Sequence, residues 1–153
     1  MISEKGKTDG HKYRHVLVQR ILKENIPVDI YGRGCMYYKI NDSRLKGEFT
    51  ELEPYQDYTF HICIENVESN HYFSEKIMNP LLNGTTPIYL GCANIQQYFG
   101  KIITLSKNEN QDIELINNIL LNPEKYKKEI DLEKVKDKIY LYRNLDSIFK
   151  KNA

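Results

Sequence analysis

The sequence predicts an α/β fold with a mainly parallel sheet, and three segments carry the prediction. Residues 58–64 combine aromatic and β-branched side chains, which is typical of a buried strand. A second apolar run, residues 87–90, ends at a glycine turn. Residues 75–82 between them have the composition of a helix. Because strands that alternate with helices favour parallel pairing, we expect both strands in one sheet.

The remaining elements follow from periodicity and from helix-breaking residues. Residues 12–25 place apolar side chains near one helical face, and Pro27 ends that helix. Ser74 is a suitable N-cap for the helix between the two strands, and Gly84 is a suitable stop. We also expect a strand over 28–32, a loop with a short helix over 36–54, a helical turn over 95–99, a strand over 101–105, and helices over 113–121 and 124–150.

Composition limits the classes of function. The 153 residues fit one domain, and 41% hydrophobic with 28% charged residues is ordinary for a globular protein. The net charge of +1 provides no general attraction for nucleic acid or for acidic membranes, so an anionic ligand must be bound by locally placed charge. The three cysteines are too few and too widely spaced for a disulfide framework or a zinc site.

The organisation of the chain is predicted from its polar and apolar segments. Residues 1–10 are polar and are expected to be flexible, residues 11–121 form the main domain, and residues 122–153 form a helical extension that packs on it. No apolar run approaches the ~18 residues of a membrane span, and the N-terminus lacks the apolar region of a signal peptide. We therefore expect a cytoplasmic or membrane-peripheral protein.

A polar cluster, ENVESNHYFSEK at residues 65–76, lies between the two predicted strands. Ligands of open α/β sheets bind outside the carboxyl ends of the strands, which is where this cluster falls. The free N–H groups at a helix N-terminus attract phosphate, and Lys76 adds a full positive charge. Glu75 can accept hydrogen bonds from sugar hydroxyls, Tyr72 can stack, and Asn66 can both donate and accept. The cluster therefore predicts a nucleotide-sugar site.

Two of these features also have a structural explanation. Glu75 in a first helical turn complements the helix dipole, and a neighbouring Glu75–Lys76 pair is commonly solvated.

His11 and His15 are four residues apart on a predicted helix but lack a third metal ligand, so we interpret them as surface histidines.

The cluster and its flanking strands resemble the donor-binding motif of the α1,3/α1,4-fucosyltransferases, glycosyltransferase family 10. That family carries Phe-Glu-Asn after a strand, then Y-x-[ST]-E-K, a helix and a G-x-x-P-[IV]-x-x-G strand. Here the counterparts are IEN at 64–66, YFSEK at 72–76 and GTTPIYLG at 84–91, with isoleucine in place of the usual phenylalanine. VDIYGRG at 28–34 resembles the family's strand-and-glycine element, and the similarity covers most of residues 11–121.

The resemblance implies a Rossmann-like, mainly parallel sheet that forms the C-terminal, donor-binding half of a GT-B glycosyltransferase. It implies GDP-fucose as the donor substrate, inverting transfer to a glycan acceptor, and no cofactor or obligatory metal. Glu75 and Lys76 would be catalytic. Arg14 is our choice for the arginine that holds the diphosphate, with Arg20 and Arg33 as rivals. The donor-binding residues would be Arg14, Glu65, Asn66, Tyr72, Ser74, Glu75 and Lys76.

The length of the chain leaves other functions open. The family's acceptor domain has no room here, so the resemblance implies that this domain is missing or lies on a partner chain. The alternative is a non-catalytic nucleotide-sugar-binding module or a partner-dependent subunit. A further option is a donor domain for another nucleotide sugar. No partnership with nucleic acid is expected.

Overall fold

The structure is a computed structural model that describes residues 1–3, 6, 8–140, 142, 143 and 145. The strands are β1 (Ile30–Tyr31), β2 (Leu45–Gly47), β3 (Phe60–Ile64), β4 (Thr86–Leu90) and β5 (Ile103–Thr104). The helices are α1 (Asp9–Lys23), α2 (Glu75–Leu82), α3 (Gln96–Phe99), α4 (Glu109–Leu121), α5 (Pro123–Tyr126) and α6 (Leu132–Ile139), with a 3₁₀ helix at Arg33–Tyr37.

The strands form two parallel sheets. One has the order β3-β4-β5, and its register pairs Phe60 with Thr86 and Ile64 with Leu90. The other joins β1 to β2. Helix α2 connects β3 to β4, as the parallel pairing of consecutive strands requires. The prediction of a Rossmann-like α/β fold with a mainly parallel sheet is confirmed.

The core lies on both faces of the three-stranded sheet. Ile64, Ile88 and Leu90 belong to one apolar cluster, which α1 and α4 cover. Cys63 and Tyr89 alternate with them along the strands and belong to the opposite cluster. Helices α2 and α6 cover that second face through Ile77, Leu81 and Val135. Burial of both faces explains why β4 is buried along its whole length.

Local hydrogen bonds fix the ends of the helices. The Ser74 hydroxyl accepts the Lys76 N–H at the start of α2, and Gly84 adopts φ +72° just beyond its end, so both predicted signals are confirmed. The Asn108 side chain accepts two backbone N–H groups, which starts α4 at Glu109, earlier than the predicted residue 113. Arg44 donates to the carbonyls of Ile21, Leu22 and Ile26 and so closes the end of α1.

Several boundaries differ from the sequence prediction. Strand β2 lies within the segment that was predicted to be a loop. It was not predicted because it pairs with β1 through the backbone and its side chains show no apolar pattern. Ile2, in the segment predicted to be flexible, is buried and donates its N–H to the Tyr31 carbonyl at 2.7 Å. The predicted helix over residues 124–150 is divided into α5 and α6, and its residues 141, 144 and 146–150 lie outside the described residues. The division of the chain into three segments stays a prediction.

In the described part of the chain, no helix combines the length and the apolar character that crossing a bilayer requires.

Candidate functional site at the carboxyl ends of β3 and β4

The polar cluster lies where β3 ends, between the start of α1 and the turn after β4. The Gly10 N–H of α1 donates to the Asn66 carbonyl at 3.1 Å. A methyl group on Gly10 would overlap the Glu65 carbonyl oxygen, and one on Gly91, after β4, would overlap the Glu65 side chain. Two glycines therefore allow α1 and the end of β4 to approach Glu65 closely. We refer to Arg14, Glu65, Asn66, Ser74, Glu75 and Lys76 as the strand-end site.

Glu65 is the buried centre of the strand-end site. It is only 1% exposed. One carboxylate oxygen accepts the Ser74 N–H at 2.9 Å, and the other accepts the Ser74 hydroxyl at 2.7 Å. The Lys76 ammonium lies 3.6 Å from the second oxygen. These bonds tie the first residue of the α2 cap to the end of β3, so Glu65 fixes where the helix begins.

Lys76 places its ammonium group over the N-terminus of α2. Its Nζ atom donates to the Ser74 hydroxyl at 3.1 Å and to the Glu75 carboxylate at 2.9 Å. Partial burial acts to raise the pKa of Glu75, but the hydrogen bonds from Lys76 and Ser74 and the Lys76 charge outweigh it, so this pKa lies below its ordinary value. The Glu75 side chain is 61% exposed. The acid therefore faces solvent at the opening of the site while the ammonium is mostly covered.

Arg14 approaches the same strand end from α1. The residue is 8% exposed, and one of its terminal nitrogens donates to the Asn66 side-chain oxygen. Its Nε–H is buried and has no hydrogen-bond partner among the described residues. Burial lowers the pKa of the guanidinium from its ordinary value, although the charges of Glu65 and Glu75 act in the opposite direction. A buried donor without an acceptor is costly, so this group is suited to an anion that enters the site.

The other two arginines lie elsewhere. Arg20 binds Glu24 and Glu109, at 2.6 and 3.2 Å. Arg33 is highly exposed and pairs with Glu48. Of the three candidates, only Arg14 lies at the strand end in the described part of the chain. The geometry therefore favours the choice of Arg14.

Tyr72 lies on an exposed loop that a neighbouring turn holds in place. Tyr72 itself is 42% exposed. The Asn94 side chain accepts the His71 N–H at 2.8 Å, and the His71 ring bonds the Tyr98 hydroxyl at 2.6 Å. Phe73 packs edge-on against Tyr98. The sequence did not predict this role of Asn94, because a single asparagine after a strand does not indicate a contact with a loop 23 residues earlier.

The two histidines of α1 differ in environment. His15 is buried, with its ring nitrogens 2.8 Å from the Tyr38 hydroxyl and 3.2 Å from the Ser3 carbonyl, so the prediction of a surface histidine is wrong for this residue. The pKa of His11 is lowered by burial and by the positive charges of Arg14 and Lys76. His11 therefore belongs to the surroundings of the strand-end site.

Within the described residues, no group of three His, Cys, Asp or Glu side chains is placed to hold a metal ion. The expectation that no metal is obligatory stays a prediction.

The family model of glycosyltransferase family 10 (fucosyltransferase), C-terminal part, matches residues 2–120. A protein of Acanthamoeba polyphaga mimivirus that carries the name of a fucosyltransferase is 35% identical over 112 residues, which cover 65% of this chain and 18% of the viral protein. The GDP-fucose protein O-fucosyltransferase 3 of Danio rerio is 31% identical over 84 residues, 52% of this chain and 18% of that protein. The α-(1,3)-fucosyltransferase B of Drosophila melanogaster is 30% identical over 84 residues, 50% and 19% of the two chains.

The chain thus spans less than a fifth of the length of these relatives. No solved structure matches it. Because the family model covers more than half of the chain, the protein belongs to glycosyltransferase family 10, through the C-terminal part of its fucosyltransferases.

Proposed function

We propose that the chain binds GDP-fucose at the strand-end site and acts as the donor half of an inverting fucosyltransferase. The observation that carries the proposal is the buried Arg14 beside Asn66, whose Nε–H has no hydrogen-bond partner in the described part of the chain. Lys76 adds a second positive charge, and the N-terminal end of the α2 dipole lies beside it. A diphosphate would supply acceptors to all of these donors at once.

Donor binding would exchange partners within the site. Lys76 now bonds Glu75, and a diphosphate oxygen would compete for the same ammonium. Release from Lys76 would leave the exposed Glu75 carboxylate free to meet the fucose ring. Glu75 would then accept sugar hydroxyls and offset positive charge at an oxocarbenium-like anomeric carbon. Arg14 and Lys76 would stabilise the negative charge that develops on departing GDP.

The remaining site residues would position the donor. Asn66 is held by Arg14, so its amide has a fixed orientation at the strand end. Tyr72 projects from the loop that Asn94 holds and can stack on, or hydrogen-bond, the nucleotide. Ser74 uses both its N–H and its hydroxyl on Glu65, so its contact with the donor stays a prediction. The Glu65 carboxylate is buried beneath Ser74, which separates it from the opening of the site. Its direct contact with the donor stays a prediction.

A second candidate function is donor binding without transfer by this chain alone. Inverting transfer needs a base for the acceptor hydroxyl. Both carboxylates of the strand-end site already accept hydrogen bonds: Glu65 from Ser74, and Glu75 from Lys76. This favours a base supplied from elsewhere. A glycan acceptor and a partner chain that carries the acceptor domain would then complete the enzyme. A donor domain for another nucleotide sugar is the remaining option.

Calorimetry would test donor binding. We expect GDP-fucose to bind more tightly than GDP-mannose or UDP-sugars, with no effect of EDTA. Each charged hydrogen bond lost in Arg14→Gln or Lys76→Gln removes roughly 1.5–3 kcal/mol, or about 10–150-fold in affinity. Arg20→Gln is the matched control, because Arg20 lies on the same helix as Arg14 but forms its ion pairs with Glu24 and Glu109, outside the site. Equal binding by wild type and Arg14→Gln, with both folded, would refute the site.

Transfer assays would separate the two candidate functions. The chain alone is incubated with GDP-fucose and N-acetyllactosamine, and fucosylated product is measured by mass spectrometry. Product formation that is lost in Glu75→Gln would support an enzyme that works without a partner. Donor binding without product would support the binding module or the partner-dependent subunit.

A further inference from the structure

A cleft separates β1 from β3, and we call it the β1–β3 cleft. Strand β3 uses one edge for β4, since Thr59 and Glu65 bond Thr86 and Leu90 at 2.9 and 2.8 Å. In a parallel ladder, alternate residues face one neighbour, so the backbone groups of Phe60 and Ile62 face the cleft. These two residues therefore present the free edge of β3.

The opposite wall of the cleft is the edge of β1. The N–H groups of Ile30 and Gly32 bond the carbonyls of Arg44 and Gly47, so these residues face β2. Tyr31, which lies between them, turns its backbone toward the cleft. Among the described residues, the edges of β1 and β3 thus face the same space without pairing with each other, and Ile2 bonds the Tyr31 carbonyl.

The β1–β3 cleft encloses a cavity of about 770 Å³. This volume falls within the roughly 300–1,000 Å³ of ordinary ligand pockets. Its walls combine apolar side chains of α1, β3 and α4: Leu17, Val18, Ile21, Ile62, Ile116 and Ile119. Charged side chains, among them Asp29, Arg44 and Asp57, also line the cavity. The apolar part of the lining is unfavourable to leave to water and favours an apolar occupant.

The first residues of the chain already follow the path of a strand into this cleft. The Ile2 N–H donates to the Tyr31 carbonyl at 2.7 Å, and the Gly34 N–H donates to the Ile2 carbonyl at 3.3 Å. A methyl group on Gly32 would overlap the Ile2 carbonyl, so glycine permits this close approach. Met1 and Ile2 line one end of the cavity, and the rest of the cleft has no strand beside β1 in the described residues.

We propose that the β1–β3 cleft binds an extended apolar polypeptide segment from outside residues 1–153, as a strand parallel to both walls. The result would be one continuous sheet in the order β2, β1, inserted strand, β3, β4, β5. An inserted strand lies roughly 4.8 Å from each neighbour and pairs with both backbone edges, which a small apolar molecule cannot do. Because helices cover both faces of the sheet, the segment would be continuously apolar and rich in Val and Ile.

A peptide titration tests the proposal and does not involve GDP-fucose, so its outcome is separate from that of the donor site. The probe is a five-residue Val/Ile peptide flanked by lysines, added to the ¹⁵N-labelled chain. We expect the amides of Phe60 and Ile62 to shift and to gain protection from hydrogen exchange. The amide of Cys63, which faces β4, is the internal control. Methylating alternate peptide nitrogens should weaken binding at least tenfold, because it removes backbone donors.

A matched pair of variants on α4 locates the binding. Ile119→Trp fills the cleft and should weaken peptide binding at least tenfold, whereas Leu121→Trp, whose parent side chain is 77% exposed, should leave it unchanged. Circular dichroism checks that both variants fold. If Ile119→Trp does not fold, the methylated peptide still decides the question. Equal affinity for the methylated peptide, binding of an apolar small molecule but no peptide, or a dimer of this chain that the peptide does not dissociate would each overturn the proposal.

Discussion

Glu65 and Glu75 lie ten residues apart in the same site, and the structure predicts that their removal has opposite consequences. Glu65 is buried and accepts two hydrogen bonds from Ser74, so Glu65→Gln should destabilise the fold. Glu75 is exposed and its carboxylate bonds the Lys76 ammonium at the surface, so Glu75→Gln should leave stability nearly unchanged. Under the proposed function, Glu75→Gln should instead impair use of the sugar donor.

The size of the Glu65 effect follows from its contacts. The glutamine can keep one acceptor for the Ser74 N–H, but its amide turns a donor toward the Ser74 hydroxyl, and the charge opposite Lys76 is lost. Loss of a charge-assisted hydrogen bond with an unsatisfied partner costs roughly 2–4 kcal/mol. At about 2–4 °C per kcal/mol for a chain of this size, the melting temperature should fall by about 5–15 °C. A surface pair such as Glu75–Lys76 contributes about 0–1 kcal/mol.

Urea unfolding at pH 7, followed by circular dichroism, measures both free energies of unfolding. GDP-fucose calorimetry on the same two variants then separates the structural role from the binding role. A Glu65→Gln variant as stable as the wild type would show that the buried carboxylate does not hold α2 to β3. A Glu75→Gln variant that loses as much stability as Glu65→Gln would contradict the different roles of the two carboxylates.

Three further predictions concern the scaffold. Gly91→Ala should cost roughly 1–3 kcal/mol of unfolding free energy in urea titrations, since its methyl overlaps Glu65; a wild-type value would refute the close approach. Arg44→Lys should lower the melting temperature, because lysine cannot keep all the hydrogen bonds that Arg44 donates to carbonyls at the end of α1. Arg33→Lys should not lower it, because Arg33 forms an exposed ion pair with Glu48. Burial lowers the pKa of His61 to about 3, so the unfolded chain binds the extra proton between pH 6.5 and 3. As the pH falls through that window, the free energy of unfolding should therefore fall by up to about 1.4 kcal/mol per pH unit. His61→Gln should make the free energy of unfolding less dependent on pH there.

The elements that the sequence predicted well are those whose side chains carry the pattern. Strands β3 and β4 are recognisable because their burial selects apolar and β-branched residues. Helix α2 is recognisable because Ser74 and Gly84 have local reasons to be at its ends. The position of the cluster at a strand end followed directly, since any residue after a parallel strand lies at that edge.

What the sequence did not predict depends on contacts between distant segments. Strand β2 has the sequence LKG and pairs through its backbone, so no periodicity marks it. The burial of Glu65 arises from Ser74, nine residues later, and from Gly10 and Gly91, which approach it from other elements. Asn94 is selected by a loop far earlier in the chain. In each case the determining neighbour is remote in sequence.

The two proposals meet at Arg14. This residue lines the β1–β3 cleft and also bonds Asn66 at the strand-end site. Its helix is anchored at one end by Gly10 against β3 and at the other by Arg44, while its apolar face, including Leu17 and Ile21, borders the cleft. A strand inserted beside that face would therefore restrict the helix that carries the diphosphate ligand. Because coupling between two sites is reciprocal, a partner strand that tightens donor binding must itself bind more tightly to the donor-loaded chain.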